Sequence, residues 1–377
     1  MKVCHIVPGY YPLLGAPVAY STGLVEAGYE VTVIAYGQKN EARREEYLGV
    51  NLIRIPLTPR KGFSPGNARR FIKQCGALIR EGDYNLVHIY AFRACGLLPL
   101  LHRRYANAWL MDLRTGNVNA NVVVSSLANK LMRLESRWFG AIITIDQRVG
   151  ERVFGRNRSF SVVPIGADLQ RFKPSRNFDL RKKLGFGAEH LVAIFTSSLV
   201  RQRYPERVLE AFRAAQREVP NLRLLVVGPG DMLAALRQLS DDWGLAEHIK
   251  FTGLVNYEMV ADYIAVADMG IGYVPLSRQY DLQPPLKTIE FMAAGLPTLV
   301  TGTAGNLLFV RHEENGWVTD DTVEAVAQGM VRLANDSDLR QRLAANARKS
   351  VEQYDWRRIV QERLIPVYDR LLAAGQG

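Results

Sequence analysis

The stretch "PPLKTIEFMAAGLPTLVT", residues 284–301, contains the signals of a short helix that leads into a buried strand. Pro285 suits the first helical position, Gly295 can adopt the left-handed conformation that ends a helix, and a proline two residues later prevents continuation. The apolar residues recur at helical spacing, so the pattern predicts a helix over 285–294. The β-branched, mostly apolar run 298–301 is typical of a parallel strand that is covered on both faces.

A glutamate in this predicted helix needs an explanation. Glu290 lies about one turn from the start of the helix and three residues after Lys287. One interpretation is a surface Lys–Glu pair, or a carboxylate that complements the helix dipole, worth roughly 0.2–1 kcal/mol. The other is a binding site, because a helix N-terminus attracts anions and a nearby carboxylate can accept hydrogen bonds from both hydroxyls of a ribose.

Length and composition describe an ordinary globular protein of more than one domain. The chain has 377 residues, too many for one typical core, so two domains are predicted. Its longest apolar stretch, residues 86–101, contains His88 and Arg93, and no transmembrane helix is expected. The first residues become polar too early for a signal peptide. The three cysteines lie in apolar contexts, which predicts reduced core thiols in a cytoplasmic protein.

Strand-like and helix-like segments alternate in the first part of the chain and begin to alternate again near residue 190. Between the two runs, "FSVVPIGADLQRFKP" (160–174) combines a short strand with prolines and a glycine, as linkers do. The pattern predicts two Rossmann-like, doubly wound α/β domains that face a central cleft. The predicted parts are an N-terminal domain 1–167, a C-terminal domain 168–355, and a terminal helix 356–377 that packs back on the N-terminal domain.

Several common catalytic motifs are absent from the sequence. There is no P-loop, no HExxH, no CxxC and no GxSxG, so ATP hydrolysis, zinc proteolysis and hydrolase-elbow chemistry lack their usual parts. The segment "GPGD" (228–231) is interpreted as a plain strand-to-helix turn. The segment "DSD" (336–338) resembles a carboxylate pair that can hold Mn²⁺, but it opens a predicted helix and is better explained as a cap.

Taken in order, these segments resemble family 4 of the retaining glycosyltransferases, which have the two-domain GT-B fold. "VVPIGADLQRFKP" (162–174) is similar to the interdomain motif of that family, with Ile165 in place of the usual Asn. The matching positions are Pro164, Gly166, Asp168 and Phe172. "PLKTIEFMAAGLP" (285–297) resembles the branch whose motif reads P-x-K-x-x-E-[YF]-M-A-x-G-x-P. The resemblance covers nearly the whole chain and is strongest from residue 162 onward.

The resemblance implies that Glu290 binds the ribose hydroxyls of a nucleoside diphosphate sugar, while the helix N-terminus faces the diphosphate. The family's diphosphate-binding loop corresponds to "SSLVRQRY" (197–204), where Arg203 takes the place of a lysine and Arg201 is a backup. Leu282 replaces a second glutamate of many members, so the donor sugar must be recognised differently. The predicted donor-binding residues are Glu290, Lys287, Leu286, Arg203, Ser198, Gly15, Gly253 and Val255.

In the N-terminal half, Gly15 and the alanine after it replace the family's Gly-Gly and still allow close approach of the backbone to a ligand. Asp112 and Arg114 stand at the carboxyl end of a predicted strand. Because buried charges are costly unless they are paired or functional, these two either contact a sugar or form a structural salt bridge. Together with Arg203 they are the predicted catalytic residues. His88 lies inside an apolar strand and is expected in the core.

The resemblance implies retaining transfer of a sugar from a nucleoside diphosphate to an acceptor that is lipid-linked or a surface-glycan precursor. No metal or other cofactor is expected, since Arg203 and the helix N-terminus can stabilise the leaving diphosphate. The alternatives are a nucleotide-sugar epimerase, a phosphorylase of the same fold, or a non-catalytic nucleotide-sugar-binding protein. The nucleotide base, the sugar and the acceptor are left open.

The net charge of +11 falls entirely in residues 1–167, the half that binds acceptor in this family. The segment 65–82 predicts an amphipathic helix in which basic residues accompany apolar ones. They are Arg69, Arg70, Lys73 and Arg80 with Phe71, Ile72, Leu78 and Ile79. A solvated basic helix is one alternative, and nucleic acid is a weaker one because no binding motif accompanies the charge. We expect peripheral contact with the anionic cytoplasmic face of the inner membrane and no nucleic-acid partner.

Overall fold

The computed structural model describes residues 1–12, 15–38, 41–57, 64–115 and 122–374. The chain divides into two compact units, one formed by Met1–Gly166 with Trp356–Gly377 and the other by Ala167–Asp355. The C-terminal segment thus belongs to the first unit. Ala167, which the sequence placed at the end of the N-terminal domain, belongs to the second.

The first unit is an α/β domain with a mainly parallel sheet. Its strands are β1 (Lys2–Tyr10), β2 (Glu30–Gly37), β3 (Arg44–Tyr47), β4 (Val50–Pro56), β5 (Tyr84–Tyr90), β6 (Ala106–Leu113), β7 (Ala141–Thr144) and β8 (Ser161–Val162). Its helices before the linker are α1 (Gly15–Glu26), α2 (Pro65–Gly82), α3 (Leu97–His102), α4 (Val122–Glu135) and α5 (Gln147–Phe154). Within the described residues the strand order is β3-β4-β2-β1-β5-β6-β7-β8, and β3 runs antiparallel to β4.

The second unit repeats this architecture with parallel pairing between its strands. The strands are β9 (Leu191–Thr196), β10 (Leu222–Val227), β11 (Ile249–Gly253), β12 (Met269–Gly272), β13 (Thr298–Thr301) and β14 (Trp317–Thr319), in the order β11-β10-β9-β12-β13-β14. The helices are α6 (Phe178–Lys183), α7 (Pro205–Glu218), α8 (Leu233–Asp242), α9 (Val260–Ile264), α10 (Leu286–Ala293), α11 (Val323–Asn335) and α12 (Ser337–Ser350). The chain then returns to the first unit with α13 (Trp356–Ile359) and α14 (Ile365–Ala374).

The central strands carry continuous buried runs, such as residues 3–7 in β1 and 192–195 in β9. Parallel sheets require such runs because both of their faces are covered. The prediction of two doubly wound α/β domains is confirmed. The three cysteines are free and buried, as their apolar contexts predicted.

Helix α10 begins one residue later than predicted. Pro285 is extended, with φ −84° and ψ 123°, and caps the helix instead of opening it. Gly295 has φ +68°, the left-handed conformation expected after a helix. Strand β13 occupies the predicted positions, so α10 and β13 join at the turn that the glycine allows.

The predicted helix at 65–82 is confirmed by α2, which Ser64 caps by accepting a hydrogen bond from the backbone N–H of Asn67. Its apolar side faces inward, since Phe71 and Ile79 are completely buried. Its basic residues Arg69, Arg70, Lys73 and Arg80 are exposed. Helix α2 therefore presents charge to solvent without an accompanying large apolar face.

Candidate functional site

Glu290 lies on α10 and is only 4% exposed. Its Oε1 accepts a 2.7 Å hydrogen bond from the hydroxyl of Tyr257. Burial raises the pKa of Glu290 to about 7, although the Tyr257 hydrogen bond and the charge of Arg171 both act to lower it. The surface-pair interpretation of this residue is therefore wrong, and a weakly compensated carboxylate remains inside the second unit.

The linker motif supplies the surroundings of Tyr257. Asp168 Oδ1 accepts hydrogen bonds from the backbone N–H groups of Gln170 and Arg171, and the Asp168 carbonyl accepts one from Phe172. This turn places the Arg171 guanidinium 5.7 Å from the centroid of the Tyr257 ring, and the Phe172 ring 6.0 Å from it. No sequence signal identified Tyr257 or Arg171, because both reach the site through the folding of separate loops.

Arg348 of α12 joins the linker turn at residues 168–172 to the end of α10 by hydrogen bonds. Its Nη1 donates to the carbonyls of Phe172 and Ala293, at 2.7 and 2.6 Å, and its Nη2 donates to that of Leu169 at 3.0 Å. The cation thereby lies at the C-terminal end of a helix, where the macrodipole favours it. The position of Glu290 along α10 is thus tied to the linker turn.

Lys287 is buried on the first turn of α10 and is not paired with Glu290. Its Nζ donates a 2.6 Å hydrogen bond to the carbonyl of Tyr273 and lies 4.4 Å from the centroid of the Phe195 ring. Burial, together with the charge of Arg203, holds the pKa of Lys287 well below its ordinary value. The backbone N–H groups of Leu286 and Lys287 open the helix, where N–H groups lack intrahelical partners.

The loop after β9 contains the predicted diphosphate-binding cation. Arg203 ends the 3-10 turn Arg201–Arg203, and its guanidinium lies 5.1 Å from the centroid of the Tyr280 ring. Because its charge lowers the pKa of Lys287, the two cations occupy one region of the second unit. Ser198 and Arg201 are exposed on the same loop. The roles of these residues stay predictions.

The "GPGD" turn (228–231) packs against the loop that follows β9. A Cβ at Gly228, where φ is +137°, would overlap the carbonyl oxygen of Ser197, so only glycine fits. The Gly228 N–H donates to the carbonyl of Gly253, which ends β11 with φ +71°. Leu254 is then 75% exposed and Val255 is half-buried. The predicted donor residues Gly253 and Val255 therefore lie at the carboxyl end of a strand, where ligands bind in such sheets.

Asp112 is completely buried in the first unit. Its Oδ2 accepts hydrogen bonds from Arg114 Nε and Nη2, at 2.9 and 2.7 Å, and lies 3.1 Å from His88 Nε2. Burial alone would raise the pKa of Asp112, but Arg114 and His88 outweigh it and the pKa lies below its ordinary value. Of the two alternatives for Asp112 and Arg114, a sugar contact or a structural salt bridge, the geometry is that of the salt bridge. It leaves Asp112 no exposed surface for the predicted contact with a sugar.

The same network continues to α14 through Tyr368. The Tyr368 hydroxyl lies 2.6 Å from His88 Nδ1 and 3.0 Å from His5 Nε2. Because an ionised Asp112 only accepts, we assign the His88 proton to Nε2, so Nδ1 accepts from Tyr368 and His5 donates to Tyr368. Burial lowers the pKa of both histidines, which favours their neutral forms. His88 is thus a core residue that helps to hold the C-terminal helix.

Arg114 is the member of this network that approaches the surface, with 18% of its side chain exposed. It also donates to the hydroxyl of Tyr20 at 2.7 Å and to the carbonyl of Val163 at 3.2 Å. Tyr20 lies on α1, which Gly15 begins. A contact between a sugar and Arg114 or Gly15 stays a prediction.

A cavity of about 250 Å³ lies in the first unit, beside the carboxyl ends of β5 and β6. Ala91, Phe92, Arg93, Leu113 and Thr115 follow or end these strands, and residues of α4 complete the lining. Its position is the one at which α/β sheets bind ligands, and its volume is near the lower limit for ligand pockets. The cavity is therefore a candidate ligand-binding site that the sequence did not reveal.

In the part of the chain that the structure describes, no group of three or more His, Cys, Asp or Glu residues is arranged to hold a metal ion. The "DSD" segment caps α12, since Asp336 Oδ1 accepts a hydrogen bond from the N–H of Leu339. Within the same described ranges, no helix is long and apolar enough to cross a membrane.

Comparisons with known proteins place both halves of the chain. Residues 18–166 match the family model "Glycosyl transferase 4-like domain", and residues 177–350 match "Glycosyl transferases group 1". The chain is 30% identical over 211 residues to a GDP-mannose-dependent alpha-(1-6)-phosphatidylinositol monomannoside mannosyltransferase of Mycobacterium tuberculosis, and this match spans 54% of each protein. It is 23% identical to the alpha-monoglucosyldiacylglycerol synthase of Acholeplasma laidlawii, over 94% of this chain and 93% of that protein.

A solved structure shows the same fold. The crystal structure of Anabaena Alr3699/HepE in complex with UDP-glucose superposes with a TM-score of 0.77 at 17% identity, covering 98% of this chain and 100% of that one. The two α/β units, their order along the chain and the two family models agree with one another. The chain therefore belongs to the glycosyltransferases of the GT-B fold, with a family 4-like N-terminal domain and a group 1 C-terminal domain.

Proposed function

We propose that the protein is a retaining, metal-independent hexosyltransferase that moves a sugar from a nucleoside diphosphate to a lipid-linked acceptor or a surface-glycan precursor. The observation that carries this proposal is the buried Glu290, whose pKa of about 7 reflects too few partners for its charge. Two ribose hydroxyls would supply charge-assisted hydrogen bonds of about 1.5–3 kcal/mol each. Binding of a nucleotide would therefore offset the free-energy cost of burying the Glu290 carboxylate.

The diphosphate of the donor fits the cations beside the start of α10. The helix N-terminus, Lys287 and Arg203 together favour a group that carries negative charge. A bound diphosphate would raise the depressed pKa of Lys287 and so favour its charged form. As the sugar–phosphate bond breaks, negative charge grows on the leaving diphosphate, and the same groups stabilise it. These groups support a reaction that needs no metal.

The acceptor proposal rests on the first unit and on the relatives. The mycobacterial relative is named for a phosphatidylinositol mannoside and the Acholeplasma relative for a glucosyldiacylglycerol. The cavity beside β5 and β6 can take about one sugar ring or a polar head group. We therefore place the acceptor in the first unit and the donor in the second.

Two measurements test this function. Thermal shift with UDP-, GDP-, ADP- and dTDP-sugars identifies the donor, because a ligand that binds only the folded state raises the melting temperature. Turnover of that donor is then measured with and without phosphatidylinositol, diacylglycerol and polyprenyl phosphate acceptors. A transferase needs both substrates, an epimerase converts the donor alone, and a binding protein consumes neither.

Two further readouts address the finer claims. The anomeric configuration of the product, determined by NMR, must equal that of the donor sugar if the reaction is retaining. EDTA must leave turnover unchanged if no metal takes part. An inverted product or loss of activity with EDTA would remove the corresponding claim while leaving glycosyl transfer itself in place.

A further inference from the structure

Helices α3 and α4 of the first unit expose six leucines to solvent. Leu97, Leu100 and Leu101 of α3 are 40%, 47% and 63% exposed, and Leu127, Leu131 and Leu134 of α4 are 58%, 45% and 46% exposed. We call these six residues the leucine surface. At 3.6 residues per turn, the three leucines of α4 fall within a sector of about 60°. Domain helices normally bury such a sector, so its exposure indicates an interaction site.

The side of α4 that faces the rest of the unit carries polar groups. Glu135 Oε1 accepts a hydrogen bond from the N–H of Ala94 at 3.0 Å, and Oε2 accepts one from the N–H of Gly96 at 2.9 Å. Ser125, near the start of α4, is buried. The two bonds of Glu135 join the end of α4 to the residues before α3, and they turn the one acidic residue of α4 inward.

Basic residues flank the leucine surface. Lys130, Arg133 and Arg137 are exposed along and just after α4, and Arg103 and Arg104 are exposed just after α3. The segments 96–111 and 122–134 contain no Asp or Glu. Along α3 and α4 themselves, the surface thus joins an apolar stripe to a positive border, which complements a surface that is apolar inside and anionic at its edge.

We propose that the leucine surface docks on an anionic lipid bilayer, with α4 lying in the plane of the interface. A 14-residue helix is about 21 Å long, shorter than the hydrocarbon core of roughly 30 Å, so α4 rests on the bilayer without spanning it. The contact falls on α3 and α4 instead of α2, whose apolar residues Phe71 and Ile79 are in the core.

The purpose of this contact rests on the proposed function. Leu131 belongs both to the leucine surface and to the lining of the cavity beside β5 and β6. An acceptor that is held in the bilayer by its acyl chains would therefore present its head group next to that cavity. Docking itself needs no catalysis, so it is measured without donor or acceptor.

Co-sedimentation of the full chain with vesicles tests the proposal. We expect binding to phosphatidylcholine vesicles that contain phosphatidylglycerol, much weaker binding to phosphatidylcholine alone, and weakening by salt. The triple variant Leu101→Ser, Leu127→Ser, Leu134→Ser should lose about tenfold or more in vesicle affinity. The triple variant Lys130→Gln, Arg133→Gln, Arg137→Gln should lose about fivefold for each charge removed. These side chains are exposed, so the melting temperatures should change little.

A matched control removes three exposed charges from the second unit, Lys182→Gln, Lys183→Gln and Arg217→Gln, and should bind vesicles like the natural chain. An equal loss in this control would reduce the effect to net charge and overturn the proposal. So would retained binding in the leucine variant, or a loss confined to Arg69→Gln, Arg70→Gln and Lys73→Gln on α2. Sedimentation equilibrium tests one more contrary outcome. If the natural chain forms a dimer that the leucine variant does not form, and the natural chain does not bind vesicles, the leucine surface is a dimer interface and the proposal is wrong. Donor binding by thermal shift stays the separate test of the proposed function.

Discussion

Each of the two units buries a carboxylate, and the pKa values of the two carboxylates shift in opposite directions. Asp112 in the first unit is completely buried, yet Arg114 and His88 hold its pKa below the ordinary value. Glu290 in the second unit is 4% exposed, and burial raises its pKa to about 7 despite Tyr257 and Arg171. Burial is nearly equal in the two cases, so the partners of each carboxylate make the difference.

This contrast separates a buried charge that the protein compensates from one that it compensates only weakly. Asp112 has cationic and hydrogen-bonding partners inside its own unit, so its charge is compensated in the folded protein. Glu290 has a hydroxyl at 2.7 Å, and burial still dominates its pKa. Groups with perturbed pKa values concentrate at functional sites, and the sign of the perturbation tells the two carboxylates apart.

The largest expected effect is the loss of stability when Asp112 is neutralised. Asp112→Asn leaves Arg114, whose side chain is 18% exposed, without its counter-charge, and we expect the free energy of unfolding to fall by about 3–5 kcal/mol. Urea unfolding at pH 7 measures this. Asp179→Asn, at an exposed position, should change it by less than about 0.5 kcal/mol. Because the folded pKa of Asp112 is depressed, the difference should shrink as the pH falls through that pKa. A small loss at pH 7 would contradict the structural role.

Arg203 should affect turnover more than donor binding. If its main partner is the charge that develops on the leaving diphosphate, Arg203→Ala lowers kcat by about 100-fold or more, while donor affinity falls less. Steady-state kinetics and donor titration separate the two quantities. Arg201→Ala, on the same loop, is the matched variant and should retain most of the activity. Equal losses in kcat and affinity would make Arg203 a simple anchor.

Donor affinity should depend on the ionised form of Glu290. Glu290→Gln should weaken donor binding by about 10- to 100-fold at pH 8, because an amide cannot accept both ribose hydroxyls. In the natural chain, affinity should rise as the pH rises through about 7, the pKa at which Glu290 ionises. Calorimetric titration across this range measures both effects. Unchanged affinity in the variant would remove Glu290 from the donor site.

Glu290→Gln should change the free energy of unfolding in the opposite direction to Asp112→Asn. The folded pKa of Glu290 lies near 7 and the unfolded one near 4.3, so the folded protein binds the proton more tightly and loses stability as the pH rises between these values. Without donor, Glu290→Gln should therefore be more stable than the natural chain by about 1–3 kcal/mol at pH 8 and nearly equal to it at pH 4. Destabilisation at pH 8 would show that the carboxylate is compensated after all.

The smallest expected effect belongs to Tyr257, which orients Glu290 and favours its ionised form. Removing the hydroxyl in Tyr257→Phe should raise the midpoint of the donor-binding pH profile by up to about one pH unit, because the lost hydrogen bond lowers the pKa of Glu290. Affinity should recover at high pH. Tyr263→Phe on α9 is the control. A uniform loss at every pH would indicate packing instead of a hydrogen bond.

The proposed donor residues on α10 could be singled out from local signals. Prolines and a glycine mark the ends of α10, and Glu290 and Lys287 lie on that helix at a fixed spacing, so short-range pattern was enough to single them out. Tyr257, Arg171 and Arg348 were missed because they belong to other elements and meet α10 only after folding. Asp112 was recognised as a charge at the end of a strand. Whether it contacts a sugar or forms a structural salt bridge could not be predicted, because its surroundings include His88, a residue of the neighbouring strand.

The sequence by itself determined the two α/β domains, the helix and strand over 285–301, the buried cysteines and the basic character of the first half. These follow from periodicity, turn residues and charge, which act over a few residues. Only the tertiary structure decided which side chains are compensated, which side of α2 faces the core, and that the leucines of α3 and α4 face solvent. Those outcomes depend on contacts between distant segments, and the pKa of Glu290 and the exposure of the leucine surface exist only once those contacts have formed.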